Sequence, residues 1–228
     1  MIAMGNARII SYSREPFSGR RDAGRLLGQE LIKFRAKNTV VLGIPRGGII
    51  IAREIASCLG ARLDVVLTHK LGSPGNPELA VGAVTEEGRL FLNKALADRL
   101  GIESGYLKQE RERQLNVIKQ RVEQYRKNLQ RVPLEGACVI IADDGVATGA
   151  TMKAALWAAR RERPEKLIAA LPVGPADTVR ELAEDADEVI CLRAPSFFSA
   201  IGQFYLDFSQ VDDAEVLEIL KQEAKKEK

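Results

Sequence analysis

The chain is expected to fold as an α/β protein, a doubly wound five-stranded parallel sheet with helices on both faces. Three observations predict this. First, 228 residues with 46% hydrophobic and 29% charged side chains suit one domain with its own core, and exclude disordered and fibrous classes. Second, short apolar runs rich in Val and Ile alternate with longer helical patterns, which is the signature of βαβ units. Third, those runs are apolar at consecutive positions rather than alternate ones, as in strands buried on both faces.

A first helix is expected at about 21–36, followed by the strand Thr39 to Ile44 and a helix at 48–59. Leu63 to Thr68 is the second strand. Leu71 to Pro77, with two Gly and two Pro in seven residues, reads as an irregular, mobile loop. Ala80 to Thr85 and Arg89 to Leu92 flank the Glu86-Glu87-Gly88 turn as an antiparallel hairpin. Helices at 94–100 and 104–130 follow. The longer one carries Leu115, Ile118, Val122, Tyr125 and Leu129 along one face, and its charged face reads as solvated Glu/Arg pairs rather than a phosphate-binding surface. The remaining strands are Ala137 to Ala142, Lys166 to Leu171 and Glu188 to Leu192, with helices at 150–162, 175–184 and 211–225. The charged tail from Lys221 to Lys228 is expected to fray. All of 1–228 forms a single domain with a core at about 38–192 and a helical insertion at about 94–131.

Composition excludes several function classes. The longest apolar run, Leu167 to Val173, falls far short of the roughly 20 residues that cross a bilayer. The start, MIAMGNARIISYSREP, lacks the basic and long apolar regions of a signal peptide, so a cytoplasmic protein is expected. The 34 Lys and Arg against 31 Asp and Glu are interspersed, without the basic stripe of a nucleic-acid binder. Cys58, Cys138 and Cys191 are an odd count without metal spacing and read as buried thiols.

The chemistry concentrates in Val139-Ile140-Ile141-Ala142-Asp143-Asp144-Gly145-Val146-Ala147-Thr148-Gly149-Ala150-Thr151. Two adjacent carboxylates ending a parallel strand are costly to bury, so they belong in the crevice where open α/β sheets bind ligands. After them, Ala147, Thr148, Gly149, Ala150 and Thr151 let backbone N–H groups converge at a helix N-terminus, with two hydroxyls added. A phosphate beside two acids suits a sugar phosphate with vicinal hydroxyls. An ordinary helix cap needs one such residue, not this whole set.

A second loop, Gly43-Ile44-Pro45-Arg46-Gly47-Gly48, also joins a strand to a helix. Arg46 suits bidentate phosphate contact, although alone this loop could be a plain βα turn. His69-Lys70 ends the second strand, where Lys70 is either a phosphate contact or a solvated strand-end lysine. His69, the single histidine, reads as a local hydrogen-bonding group. Neither GxxxxGK[ST] nor GxGxxG is present, which removes ATPase and dinucleotide readings.

The segment 139–151 resembles the phosphoribosyl-diphosphate (PRPP) binding motif of the type I phosphoribosyltransferases, departing only at Ala142 and Gly145. The resemblance implies that family's fold, with a flexible loop, an antiparallel hairpin and a small hood built from 1–37 and 193–228. It implies Asp143 and Asp144 on the ribose hydroxyls, Ala147 to Thr151 on the 5′-phosphate, and Arg46, Gly47, Gly48 and Lys70 on the pyrophosphate. Lys70, Asp143 and Asp144 would be the catalytic residues, with loop 71–79 closing over the reaction. Mg²⁺ would be held mostly by substrate oxygens, Asp143 and Asp144 being its possible protein contacts. The implied function is Mg²⁺-dependent transfer of phosphoribose from PRPP to a nitrogenous acceptor, a nucleobase, with release of pyrophosphate. The alternatives are a non-catalytic PRPP or nucleotide sensor, and hydrolysis or phosphorolysis at the same site. Phe204, Tyr205 and Asp207 are candidate acceptor contacts, with packing on the core an equal reading. The arm from Ser11 to Arg20 resembles a lid by position alone. Family analogy implies a homo-oligomer, without nucleic-acid or membrane partners.

Overall fold

In a computed structural model, residues 6–36, 38–127 and 130–226 are described. The five expected parallel strands are all present: β2 (Thr39–Gly43), β3 (Arg62–Val65), β7 (Cys138–Ala142), β8 (Lys166–Val173) and β9 (Glu188–Arg193). A sixth, β1 (Asn6–Ser11), adds to the edge, giving the order β1-β9-β8-β7-β2-β3 with every pair parallel. The N-terminal segment was expected in the hood, but β1 belongs to the sheet. Its half-buried sequence, NARIIS, is an edge strand specified by its partner β9 more than by its own hydrophobicity.

The apolar runs divide between two layers. Val41, Ile140, Ile168 and Ile190 face α1 (Arg20–Glu30), α2 (Gly48–Leu59) and α7 (Asp213–Lys226). Their neighbours Val40, Val139, Leu167 and Val189 face α5 (Ala150–Arg160) and α6 (Ala176–Leu182). Because helices cover both faces, both sets of alternating side chains must be apolar. The first helix ends earlier than expected, with a single 3₁₀ turn at Ile32–Phe34, whereas α7 continues through the expected frayed tail to Lys226. Residues 1–5 of the expected leaderless start lie outside the described residues. Among the described residues no helix is long and apolar enough to cross a membrane. Cys191 is buried, whereas Cys58 and Cys138 are only half-buried.

The largest departure from expectation is at 66–77. The second strand stops at Val65, and β4 (Thr68–Ser73) pairs antiparallel with β5 (Asn76–Thr85), which pairs with β6 (Leu90–Leu92). The supposed irregular loop is therefore a hairpin whose tip is Pro74–Gly75, with register shifts around Gly72. The breakers bend and end the ladder instead of preventing it. This small sheet buries Leu71, Val81 and Val84 against Ile118 of α4 (Ser104–Arg126), with Leu115 and Val122 packed beside them. The short helix α3 (Lys94–Arg99) precedes it. Tyr125 reaches the main core and donates to Asp213, while Leu129 of the expected stripe lies outside the described residues.

One ion network fastens the small sheet to the large one. Asp64 of β3 is 1% exposed and accepts from Val65 N at 2.7 Å, Val132 N at 2.9 Å and Arg126 at 2.6 Å. Arg126 also donates to Glu86 in the β5–β6 turn at 2.9 and 3.1 Å. Arg126→Ala leaves a buried carboxylate without its cation, a loss of about 3–5 kcal/mol that denaturant unfolding at neutral pH would register.

Candidate functional site

The sheet winds in opposite directions on either side of the β2–β7 pair, since β3 lies beyond β2 while β8, β9 and β1 lie beyond β7. Ligands of open α/β sheets bind at the C-terminal ends of the strands at such a junction. Both sequence motifs leave from there. Gly43 and Ala142 are register partners, and Ile44 N donates to Ala142 O at 2.9 Å.

The two loops are packed on each other. A Cβ at Gly48 would stand 2.7 Å from Ala142 O and 2.9 Å from Asp143 Cα, and one at Gly47 would overlap the Asp144 carboxylate. Only residues without side chains let the backbone pass there. The Pro45–Arg46 peptide is cis, and Arg46 is half-buried beside this contact.

Asp143 Oδ1 accepts from Asp144 N at 2.9 Å. Burial pushes the Asp143 carboxyl well above the ordinary carboxylate range, and the charge of Asp144 adds to this. Burial also raises Asp144, against a pull downward from Arg20. Beyond the acids, Gly149 takes φ 75°, a left-handed conformation that turns the chain into α5. Ala147, Thr148 and Thr151 are exposed, while Gly149 and Ala150 are buried behind them. Thr148 Oγ1 accepts from Ala150 N at 3.4 Å, and Thr178 donates to Ala147 O at 3.1 Å, bracing the loop from α6. This loop leads into the N-terminus of an eleven-residue helix, whose first backbone N–H groups suit an anion.

Lys70 arrives from the small sheet. β4 and β5 pack against α5, and a cleft of about 180 Å³ is lined by Pro45, Lys70 and Thr151 together with Ile44, Leu67 and Ile118. Three motifs from three separate parts of the chain therefore share one cleft. His69 is held at 2.9 Å from Gln114 Oε1 on α4, in keeping with its reading as a local hydrogen-bonding group.

The candidate acceptor contacts are distributed differently from expectation. Phe204 is 2% exposed and stacks on Phe198, and Tyr205 is 6% exposed between Phe17 and Phe208, so neither ring offers a free face to a base. The alternative of packing on the core holds for both. Asp207 is exposed and accepts from Ser209 N at 3.0 Å. Tyr205 instead donates to Asp144 O at 2.6 Å. Residue Arg20, absent from the sequence-derived set, forms an ion pair with Asp144 at 2.8 Å between Nε and Oδ2. Nothing local separates Arg20 from its neighbours Arg21 and Arg25, both of which reach Glu54 instead.

Mg²⁺ can be weighed against this donor set. Asp143 Oδ1 and Asp144 Oδ2 already accept hydrogen bonds, and among the described residues no three His, Cys, Asp or Glu cluster as a cage. Such a set makes no protein cage, and it fits an ion whose remaining ligands come from elsewhere.

Comparison with known proteins shows the family. The profile of the phosphoribosyl transferase domain matches residues 19–209. The putative phosphoribosyl transferases Rv0571c and MT0597, from two strains of Mycobacterium tuberculosis, are each 44% identical over 204 residues, 90% of this chain. The chain spans 46% of the length of those two relatives. The crystal structure of TT1426 from Thermus thermophilus superposes with a TM-score of 0.85 at 44% identity, covering 91% of this chain and 98% of that one. A profile spanning most of the residues, together with relatives at this identity, shows that the chain belongs to the phosphoribosyl transferase domain family.

Proposed function

We propose that the protein transfers phosphoribose from PRPP to a nitrogenous acceptor, a nucleobase, with release of pyrophosphate. The observation that carries this reading is the convergence of Pro45, Lys70 and Thr151 on one cleft, with the loop after Pro45 packed at Gly47 and Gly48 on Asp143 and Asp144. The 5′-phosphate takes the loop Ala147 to Thr151 at the start of the helix, where backbone N–H groups and the Thr148 and Thr151 hydroxyls meet it. The ribose hydroxyls donate to Asp143 and Asp144. Arg46 and Lys70 balance the diphosphate, and the backbone at Gly47 and Gly48 lets it approach.

Breaking the bond to pyrophosphate leaves a cationic, oxocarbenium-like sugar, so the residues must stabilise charge and exclude water. Asp143 and Asp144 are the negative groups nearest the ribose, and Lys70 serves the departing diphosphate. The β4–β5 hairpin beyond Lys70 is placed to shield that side. When bound, Mg²⁺ would supply further neutralisation of the leaving group, and Asp143 and Asp144 would be the carboxylates to hold it.

Calorimetric titration with PRPP, with and without Mg²⁺, followed by a pyrophosphate-release assay across nucleobases, tests the reading. Mg²⁺-dependent binding and release are expected, and folded protein that binds no PRPP would overturn it. Thr148→Ala and Thr151→Ala should each weaken PRPP binding about ten- to a hundredfold, the loss of one hydrogen bond to a charged group. Lys70→Ala should reduce kcat more than it raises KM.

Asp143→Asn separates stability from binding. Because burial raises the carboxyl's pKa above that of the unfolded chain, the charged form is penalised in the fold at neutral pH, and the penalty fades as pH falls through the raised value. The variant should melt at a higher temperature than the parent at pH 7, lose that advantage on acidification and bind PRPP more weakly. Thermal scans across pH alongside the titration check both halves.

A further inference from the structure

Arg20 stands at the first position of α1 with its side chain only 10% exposed. Its Nε donates to Asp144 Oδ2 at 2.8 Å, and a terminal guanidinium nitrogen donates to Ser209 O at 2.8 Å. The guanidinium also lies 4.0 Å over the Phe208 ring. A Cβ built on Gly47 would come within 2.8 Å of the same Nε, so Arg20 borders the first loop as well.

The chain invests much structure in this placement. Phe17 N donates to Phe204 O at 2.8 Å, Leu206 N to Phe17 O at 2.8 Å and Asp207 N to Ser18 O at 3.2 Å. The arm before Arg20 is thus zipped to residues 204–207, and Tyr205 from that segment holds the backbone of Asp144. Asp144 is gripped at its carboxylate from the N-terminal arm and at its carbonyl from the C-terminal segment. Arg20 takes one carboxylate oxygen of Asp144, Oδ2.

We propose that Arg20 is a positioning residue for ribose recognition, fixing the Asp144 carboxylate so that its second oxygen meets a sugar hydroxyl, and that it joins the two peripheral segments to the ribose site. The inference rests on the PRPP reading above. A guanidinium fits this task because its planar, delocalised charge can bond a carboxylate along one edge while stacking on an aromatic ring with its face.

The test is a double-mutant cycle read by calorimetry with PRPP and, separately, with pyrophosphate as ligands. It uses the wild type, Arg20→Ala, Arg20→Lys, Asp144→Asn and the double variant Arg20→Ala with Asp144→Asn. Arg20→Ala should weaken PRPP binding about tenfold or more, the loss expected when a charge-assisted hydrogen bond organising the site is removed. Arg20→Lys should recover part of it. Pyrophosphate affinity should stay within about twofold, and Arg20→Ala should add less than about twofold in the Asp144→Asn background, since a residue acting through another is non-additive with it. If Arg20→Ala melts too low for titration, Arg20→Gln replaces it with the same expectation. Unchanged or tighter PRPP binding, an equal loss of pyrophosphate, or a full additional loss in the Asp144→Asn background would each overturn the inference while leaving the PRPP reading standing. Wild-type protein that binds no PRPP would overturn both.

Discussion

The site depends on one close approach, the passage of the Gly47–Gly48 backbone over Asp143 and Asp144. Strands β2 and β7 are neighbours, and the loops leaving them must share the same crevice. A single methyl group at either glycine would meet the acids or their backbone. Without side chains there, the two loops pack directly on each other at the junction of the sheet. That junction is where open α/β sheets bind ligands.

That arrangement is electrostatically expensive. Two sequential carboxylates are partly buried, and both are pushed toward protonation by loss of water. Asp143 accepts a backbone N–H, and Asp144 is paired with the Arg20 guanidinium. Functional sites commonly retain such unfavourable groups because a ligand supplies the missing partners. Tyr205 and Phe208 belong to this balance, since they support Asp144 and Arg20 while Tyr205 also packs in the core.

Lys70 reaches the site by a different route. The β4-β5-β6 sheet is a separate layer on α4 and α5, held to the main sheet by Asp64, Arg126 and Glu86. Because α5 also begins at the loop Ala147–Thr151, docking the small sheet on α5 sets the distance between Lys70 and Thr151. A buried ion network suits this joint, since its geometry is directional where apolar packing alone would permit sliding.

The sequence by itself determined the five central strands and the helices that cover them, because runs apolar at every position can satisfy only a doubly covered parallel sheet. It also determined the two loops and the acids, since such local patterns carry their chemistry in consecutive residues. Tertiary structure alone decided what depends on partners distant in the chain. Strand β1 exists through β9, and the hairpin at 68–85 forms because pairing along its flanks outweighs the breakers at its tip. Phe204 and Tyr205 are equally good as ligand contacts or as core until Phe17 and Phe198 are seen against them. Arg20 is one of several similar cations in α1, and only the zipping of residues 17–18 to 204–207, nearly the full length of the chain away, selects it to meet Asp144.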